Sequence, residues 1–228
     1  MNRAVFLHDV RVTLPSRAGP VAILRGCDLV AEAGEAVGLV GPSGSGKTTI
    51  LMVVAGLEAV TGGTVEVAGQ DLTRLDEDAL ARFRRDHVGI VFQAFHLIPA
   101  MTALENVAVP LEFRGLARAQ MIAREALEAV GLGHRVSHYP GQLSGGEQQR
   151  VAIARALAAG AQVILADEPT GNLDQETGQK IMELLFALQW ERGTTLLLVT
   201  HDHELVKRCD RVLEVRDGRI GAMEQRVA

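Results

Sequence analysis

Residues 41–49, Gly-Pro-Ser-Gly-Ser-Gly-Lys-Thr-Thr, lie between two apolar runs, Val37–Val40 before and Ile50–Ala55 after. No other stretch restricts the possible folds as tightly. A strand that ends in a glycine-rich turn and re-emerges as a helix points successive backbone N–H groups inward, which makes a nest for an anion. The following helix adds the positive end of its dipole. The expected ligand is a nucleoside triphosphate, taken as ATP with Mg²⁺. Gly41, Pro42, Ser43, Gly44, Ser45 and Gly46 would form the cradle, and Lys47 would reach the β- and γ-phosphates. Thr48 would place its hydroxyl on the metal, and Thr49 would bond the α-phosphate side. A plain Gly/Ser turn is the competing reading, and the strand-before, helix-after context weighs against it.

Composition narrows the class. The 228 residues are 47% hydrophobic, with a mean hydropathy of +0.14, enough to bury a full core in one α/β unit with an inserted lobe. Formal net charge is −5. No Lys/Arg run marks a surface for nucleic acid, so no nucleic-acid partner is expected. Cys27 and Cys209 form no CxxC pair and read as free thiols. The opening MNRAVFLHDVRVTLPS lacks the continuous apolar segment of a signal peptide. No apolar run reaches the roughly 18–20 residues that span a bilayer, because Arg155, Gly160 and Gln162 interrupt the nearest one. A membrane role would therefore come through a partner.

Short Val/Ile/Leu-rich runs alternate with helical patterns, which predicts parallel strands joined by crossover helices. Val37–Gly41, Val88–Gln93, Val163–Asp167 and Thr195–Thr200 read as strands covered on both faces. Ala4–Leu14, Ala22–Glu32 and Thr64–Ala68 read as a separate, partly antiparallel layer. Arg211–Val215 and Arg219–Met223 flank Asp217-Gly218, a hairpin turn signal. From Gln93 to Gly160 the pattern is helical: Thr102-Ala-Leu-Glu105 is a capping box, and Gln120–Val130 is amphipathic and closed by Gly131. The expected division is residues 1–92 with 161–228 as a nucleotide-binding core and residues 93–160 as an inserted helical subdomain.

Val163-Ile-Leu-Ala-Asp167-Glu168-Pro169 ends an apolar strand in two adjacent acids. Alone, such a pair fits a solvated surface turn as well as a site. Beside a phosphate cradle, Asp167 is expected on the metal side and Glu168 as general base for the attacking water.

Leu143-Ser-Gly-Gly-Glu-Gln-Gln-Arg150 resembles the LSGGQ signature of ABC (ATP-binding cassette) ATPases, and other motifs of that family follow in its order. The resemblance spans essentially the whole chain. It implies a P-loop NTPase cassette of α/β class: a mixed-sheet core, an N-terminal antiparallel β layer and an inserted helical lobe. In the family's pattern Gln93 touches Mg²⁺ and the attacking water, Asp174 of Asn172-Leu-Asp174 communicates across a dimer, and His201 of Thr200-His201-Asp202 bonds the γ-phosphate. Ser144, Gly145 and Gly146 of one copy close over ATP held by the other, giving a head-to-tail homodimer with two ATP at its interface. Gly89–Pro99, Thr102–Val107 and Asp167–Asp174 look like the LolD/MacB/FtsE class, and Gly193-Thr-Thr-Leu, Thr200-His-Asp and Arg208–Arg211 look like its YbbA subgroup. That class implies an integral membrane permease of FtsX/MacB-like type. It places the chain peripherally on the cytoplasmic side of the inner membrane, as the ATP-hydrolysing subunit powering that permease. A recruitment module acting on an extracytoplasmic effector is the alternative. One departure stands out: Leu14 occupies the position where many family members stack adenine on an aromatic ring. The apolar loop Phe95, Leu97, Ile98, Pro99 and Met101 reads either as a docking surface or as part of the lobe's own core.

Overall fold

The structure is a computed structural model that describes residues 3–17 and 19–223. The described residues contain two sheets and seven α-helices. The first sheet is antiparallel, with strands β1 (Arg3–Leu14), β2 (Val21–Glu32), β4 (Gly62–Val67) and β5 (Gln70–Asp71) in the order β2-β1-β4-β5. The second contains β3 (Ala36–Val40), β6 (Val88–Phe92), β7 (Val163–Asp167), β8 (Thr195–Val199), β9 (Arg211–Arg216) and β10 (Arg219–Met223). Its order is β10-β9-β3-β8-β7-β6, with only β10 running antiparallel.

The local signals explain most of these elements. β3 and β8 are buried at every residue, as unbroken apolar runs require in a parallel sheet covered on both faces. Each expected parallel strand stops one residue short of its predicted end, except β7: Gly41, Gln93 and Thr200 already lie in the loops that follow. Asp217 and Gly218 both take positive φ, 49° and 71°, the turn geometry that matches the twist of a two-stranded ribbon. The helices are α1 (Lys47–Val54), α2 (Glu77–His87), α3 (Ala103–Phe113), α4 (Ala119–Ala129), α5 (Gly145–Ala158), α6 (Gln175–Arg192) and the short α7 (His203–Val206). Thr102 and Glu105 form the expected reciprocal capping box of α3. Gly131, at φ 75°, follows the end of α4. α2, absent from the expected elements, starts at an Asp76 cap: the side chain accepts from Ala79 N at 2.8 Å.

Two apolar clusters flank the main sheet. One joins the antiparallel layer and α1 to one face, through Leu7, Leu24, Ile50 and Leu165 among others. The second runs unbroken from Val107, Leu111 and Leu127 in the helical segment, through α5, to Ile164 and Leu198 of the sheet. The helical segment thus rests on the same core as the sheet beneath it. Both cysteines are buried free thiols, and burial pushes the Cys209 thiol up to about 12. No described helix is long and apolar enough to cross a membrane.

Candidate functional site

All parallel strands but β9 release a site segment at their C-terminal ends: residues 41–49 after β3, Gln93 after β6, Glu168 after β7 and Thr200-His201 after β8. This is the edge at which open α/β sheets bind ligands.

The cradle is built by glycine. Gly41, Gly44 and Gly46 have φ of 145°, 77° and 107°. A Cβ on Gly41 would lie 2.0 Å from the Val215 carbonyl oxygen, so no larger residue fits there. Gly46 heads α1 with no side-chain cap, leaving the positive end of the helix open to an anion. The Lys47 ammonium donates to the carbonyls of Gly41 and Pro42 at 2.8 and 2.9 Å, arching back over its own loop. Among the described residues, buried Ser45 Oγ has no hydrogen-bond partner. An unfilled polar atom and an uncapped helix tip are what a phosphate chain would satisfy, so the residues present fit a nucleotide. The loop is braced from behind by the β9–β10 turn, where Gly218 N donates to Ser45 O at 3.1 Å.

Thr48 Oγ1 donates to Asp167 Oδ1 at 3.3 Å. Burial pushes the Asp167 carboxyl above the usual carboxylate range, with neighbouring Glu168 adding to the rise and Thr48 and Lys47 opposing it. A half-buried carboxylate next to a hydroxyl is a hard-oxygen pair that suits Mg²⁺, an ion usually held by one or two carboxylates together with substrate phosphates. Among the described residues, no group of three or more His, Cys, Asp or Glu forms a metal cage of its own.

Glu168 takes φ 45°, a left-handed conformation costing a non-glycine residue about 1–3 kcal/mol. It is held there because its N–H donates to Val199 O at 2.9 Å and its carbonyl accepts from Gly171 N at 3.0 Å. The bend brings Glu168 Oε2 to 2.8 Å from His201 Nδ1, with the imidazole 79% and the carboxylate 22% exposed. A ring nitrogen facing a carboxylate carries the proton, so Nε2 is left to face a ligand. Gln93 meets Asn172 on the loop after β7: Gln93 Nε2 donates to Asn172 Oδ1 at 3.2 Å, and Asn172 Nδ2 donates to Gln93 O at 2.9 Å.

Ser144 caps α5 in a reciprocal capping box with Glu147. That carboxyl is held below its usual range chiefly by the Ser144 backbone N–H, and Arg135 Nε donates to it at 3.1 Å. Gly145 and Gly146 rest on Leu173 and Thr177, where added Cβ atoms would come within 3.2 and 2.6 Å. Asp174 caps α6, accepting from Thr177 N at 3.0 Å. Among the described residues, no hydrogen bond joins Ser144–Gly146 or Asp174 to residues 41–49. One copy therefore assembles cradle, acids and His201 at one edge; Asp174 lines a pocket together with His201, and the Ser-Gly-Gly tip lies against Leu173 and Thr177 on either side of it.

Leu14 is half-buried at the margin of the cluster beneath the antiparallel layer. The apolar loop divides: Leu97 packs against the core, whereas Ile98 is 40% exposed. Two residues that carry no site motif in the sequence hold this loop. Arg155 of α5 donates to Phe95 O and His96 O at 2.8 and 2.6 Å, and those two residues have φ of 59° and 48°. Buried Asn106 accepts from Ile98 N at 2.7 Å and donates to Met101 O at 3.0 Å. Arg155 signalled itself only as a charge inside the apolar run of α5.

A family model for ABC transporters matches residues 24–171. The chain is 50% identical over 218 residues to an uncharacterized ABC transporter ATP-binding protein, YbbA, of Escherichia coli K12, covering 95% of this chain and 96% of that one. It is 49% identical over 222 residues to the macrolide export ATP-binding/permease protein MacB of Shigella flexneri, and there it spans 34% of the longer protein. Among solved structures, the dimeric ATP-binding cassette MJ0796 in a post-hydrolysis state with ADP and Pi superposes with a TM-score of 0.88 at 41% identity. That match covers 97% of this chain and 99% of the other. These likenesses favour a transporter subunit over a recruitment module.

Proposed function

The chain belongs to the ABC transporter family, as an ATP-binding and ATP-hydrolysing cassette, and on that premise we propose how its residues divide the work. Gly41–Thr49 hold the triphosphate, with Lys47 against the terminal phosphates. Thr48, Asp167 and Gln93 hold Mg²⁺, which when bound neutralises charge on the phosphates. Glu168 accepts the proton of the attacking water, and His201, oriented by its bond to Glu168, donates Nε2–H to the γ-phosphate when its ring is charged.

Two copies pair head to tail. The Ser144–Gly146 tip of one closes over ATP in the cradle of the other, with Asp174 at the same interface. Triphosphate between two positive helix ends favours closure while the γ-phosphate remains; hydrolysis releases it. Residues 93–160 carry the tip as a lobe, and Ile98 on its exposed loop meets an integral membrane permease of FtsX/MacB-like type. This places the cassette peripherally on the cytoplasmic face of the inner membrane. The observation that carries the reading is that one chain holds both the uncapped α1 tip and the Ser144–Gly146 tip of α5, with no hydrogen bond between them among the described residues.

Glu168→Gln supplies the test. In Mg-ATP the variant is expected to elute as a dimer and to hydrolyse about 10²–10⁴-fold more slowly than wild type. A variant that stays monomeric at saturating Mg-ATP refutes the sandwich.

A further inference from the structure

Asn172 does something the motif around it does not require. Its carboxamide, 79 positions from Gln93, makes two bonds to that residue: it accepts from the Gln93 side-chain NH₂ and donates to the Gln93 backbone carbonyl. The pairing fixes which atom of each amide points where. A backbone carbonyl can only accept, so the group Asn172 presents to Gln93 O is its NH₂. Asn172 Oδ1 is then turned to the Gln93 side chain and requires a donor, so Gln93 must offer Nε2. The remaining atom, Gln93 Oε1, has no hydrogen-bond partner among the described residues. A hard cation or the hydrogens of a water need an oxygen, and an amide flipped by half a turn would offer them an NH₂ group instead. Gly171 seals the arrangement: a Cβ there would stand 2.6 Å from Gln93 Nε2, so the loop after β7 fits closely around the glutamine.

We propose that Asn172 is a positioning residue that holds the Gln93 carboxamide with its oxygen, rather than its NH₂ group, free for the metal side of the site. The inference rests on the metal-side role given to Gln93 above. It also gives the loop carrying Asp174 a physical link to the loop carrying Gln93: movement of either one changes which amide atom the nucleotide meets.

The experiment is a double-mutant cycle on the full chain with Gln93→Ala, Asn172→Ala and both together. ATP affinity is read by calorimetry in Mg²⁺ and again in EDTA, and kcat and KM are measured alongside. Asn172→Ala is expected to weaken Mg-ATP binding and lower kcat by about five- to tenfold, the reach of one hydrogen bond. Metal-free ATP affinity should stay within about twofold, and the double variant should be no worse than Gln93→Ala. Asn172→Ser, too short to bridge, should match Asn172→Ala and guards against a folding defect. Asn172→Ala with wild-type Mg²⁺ dependence beside an impaired Gln93→Ala overturns the proposal, as do fully additive losses. Wild-type behaviour of Gln93→Ala removes the underlying role of Gln93 itself.

Discussion

Gly171→Ala is a small change whose consequences the structure separates cleanly. The added Cβ would lie 2.6 Å from Gln93 Nε2 and 2.8 Å from Gln93 Cδ, and Gly171 does not have positive φ. Alanine can therefore adopt its backbone, and the only obstacle is the far end of a flexible side chain. Non-bonded heavy atoms settle at roughly 3.5–4.0 Å, so the Gln93 amide must retreat by about 1 Å. The one bond it shares with Asn172 is exposed and contributes about 0.5–1.5 kcal/mol. Replacing glycine at a compatible position returns about 0.4–1 kcal/mol by stiffening the unfolded chain. The balance leaves Tm within a few degrees, at about 2–4 °C per kcal/mol for a chain of this size. Catalysis should be less forgiving, because a displacement of about 1 Å in a positioning group can cost on the order of 10²-fold in rate. Steady-state ATPase assays and thermal melts, run on the same preparation, test this. Gly89→Ala is the contrast: its Cβ would meet the Ala156 carbonyl oxygen at 2.3 Å, where nothing can swing aside, and it should fold poorly or not at all. An unchanged kcat in well-folded Gly171→Ala would refute the claim that Gln93 must stay where Asn172 holds it.

Three further outcomes follow from the same geometry. Asp167→Asn removes a carboxylate whose ionised form is penalised by burial. A raised folded-state pKa favours the native state in acid and disfavours it as pH rises, so in metal-free buffer the variant should melt above wild type near about pH 8. That advantage should fade toward about pH 4 as the wild-type acid protonates; a constant offset across the range contradicts this, and Mg²⁺-dependent hydrolysis should be lost at any pH. Leu14→Tyr offers adenine a stacking face worth about 1–3 kcal/mol, and since leucine already supplies apolar contact the gain should sit near the lower figure, about fivefold in ATP Kd; equal affinities by titration would rule it out. Arg155→Met strands the carbonyls of Phe95 and His96, at a cost of about 1–3 kcal/mol visible as a lower Tm, and Arg155→Lys should recover part of it; an unchanged melt would mean that water replaces the guanidinium.

What could be read from residues alone was governed by neighbours in the chain. The glycine spacing of 41–49, the Thr102–Glu105 capping box, Gly131 after α4 and the turn at Asp217-Gly218 are short-range devices. Their geometry follows from a handful of consecutive residues, and the folded chain keeps each of them. Strand order, the inward turn of Leu97 with the outward turn of Ile98, the grip of Arg155 on two left-handed residues and the pairing of Gln93 with Asn172 were settled only in three dimensions. Each of these depends on which surfaces the parallel sheet brings together once its apolar faces are buried. Periodicity along the chain states how much of a segment must be covered, and only packing decides by what.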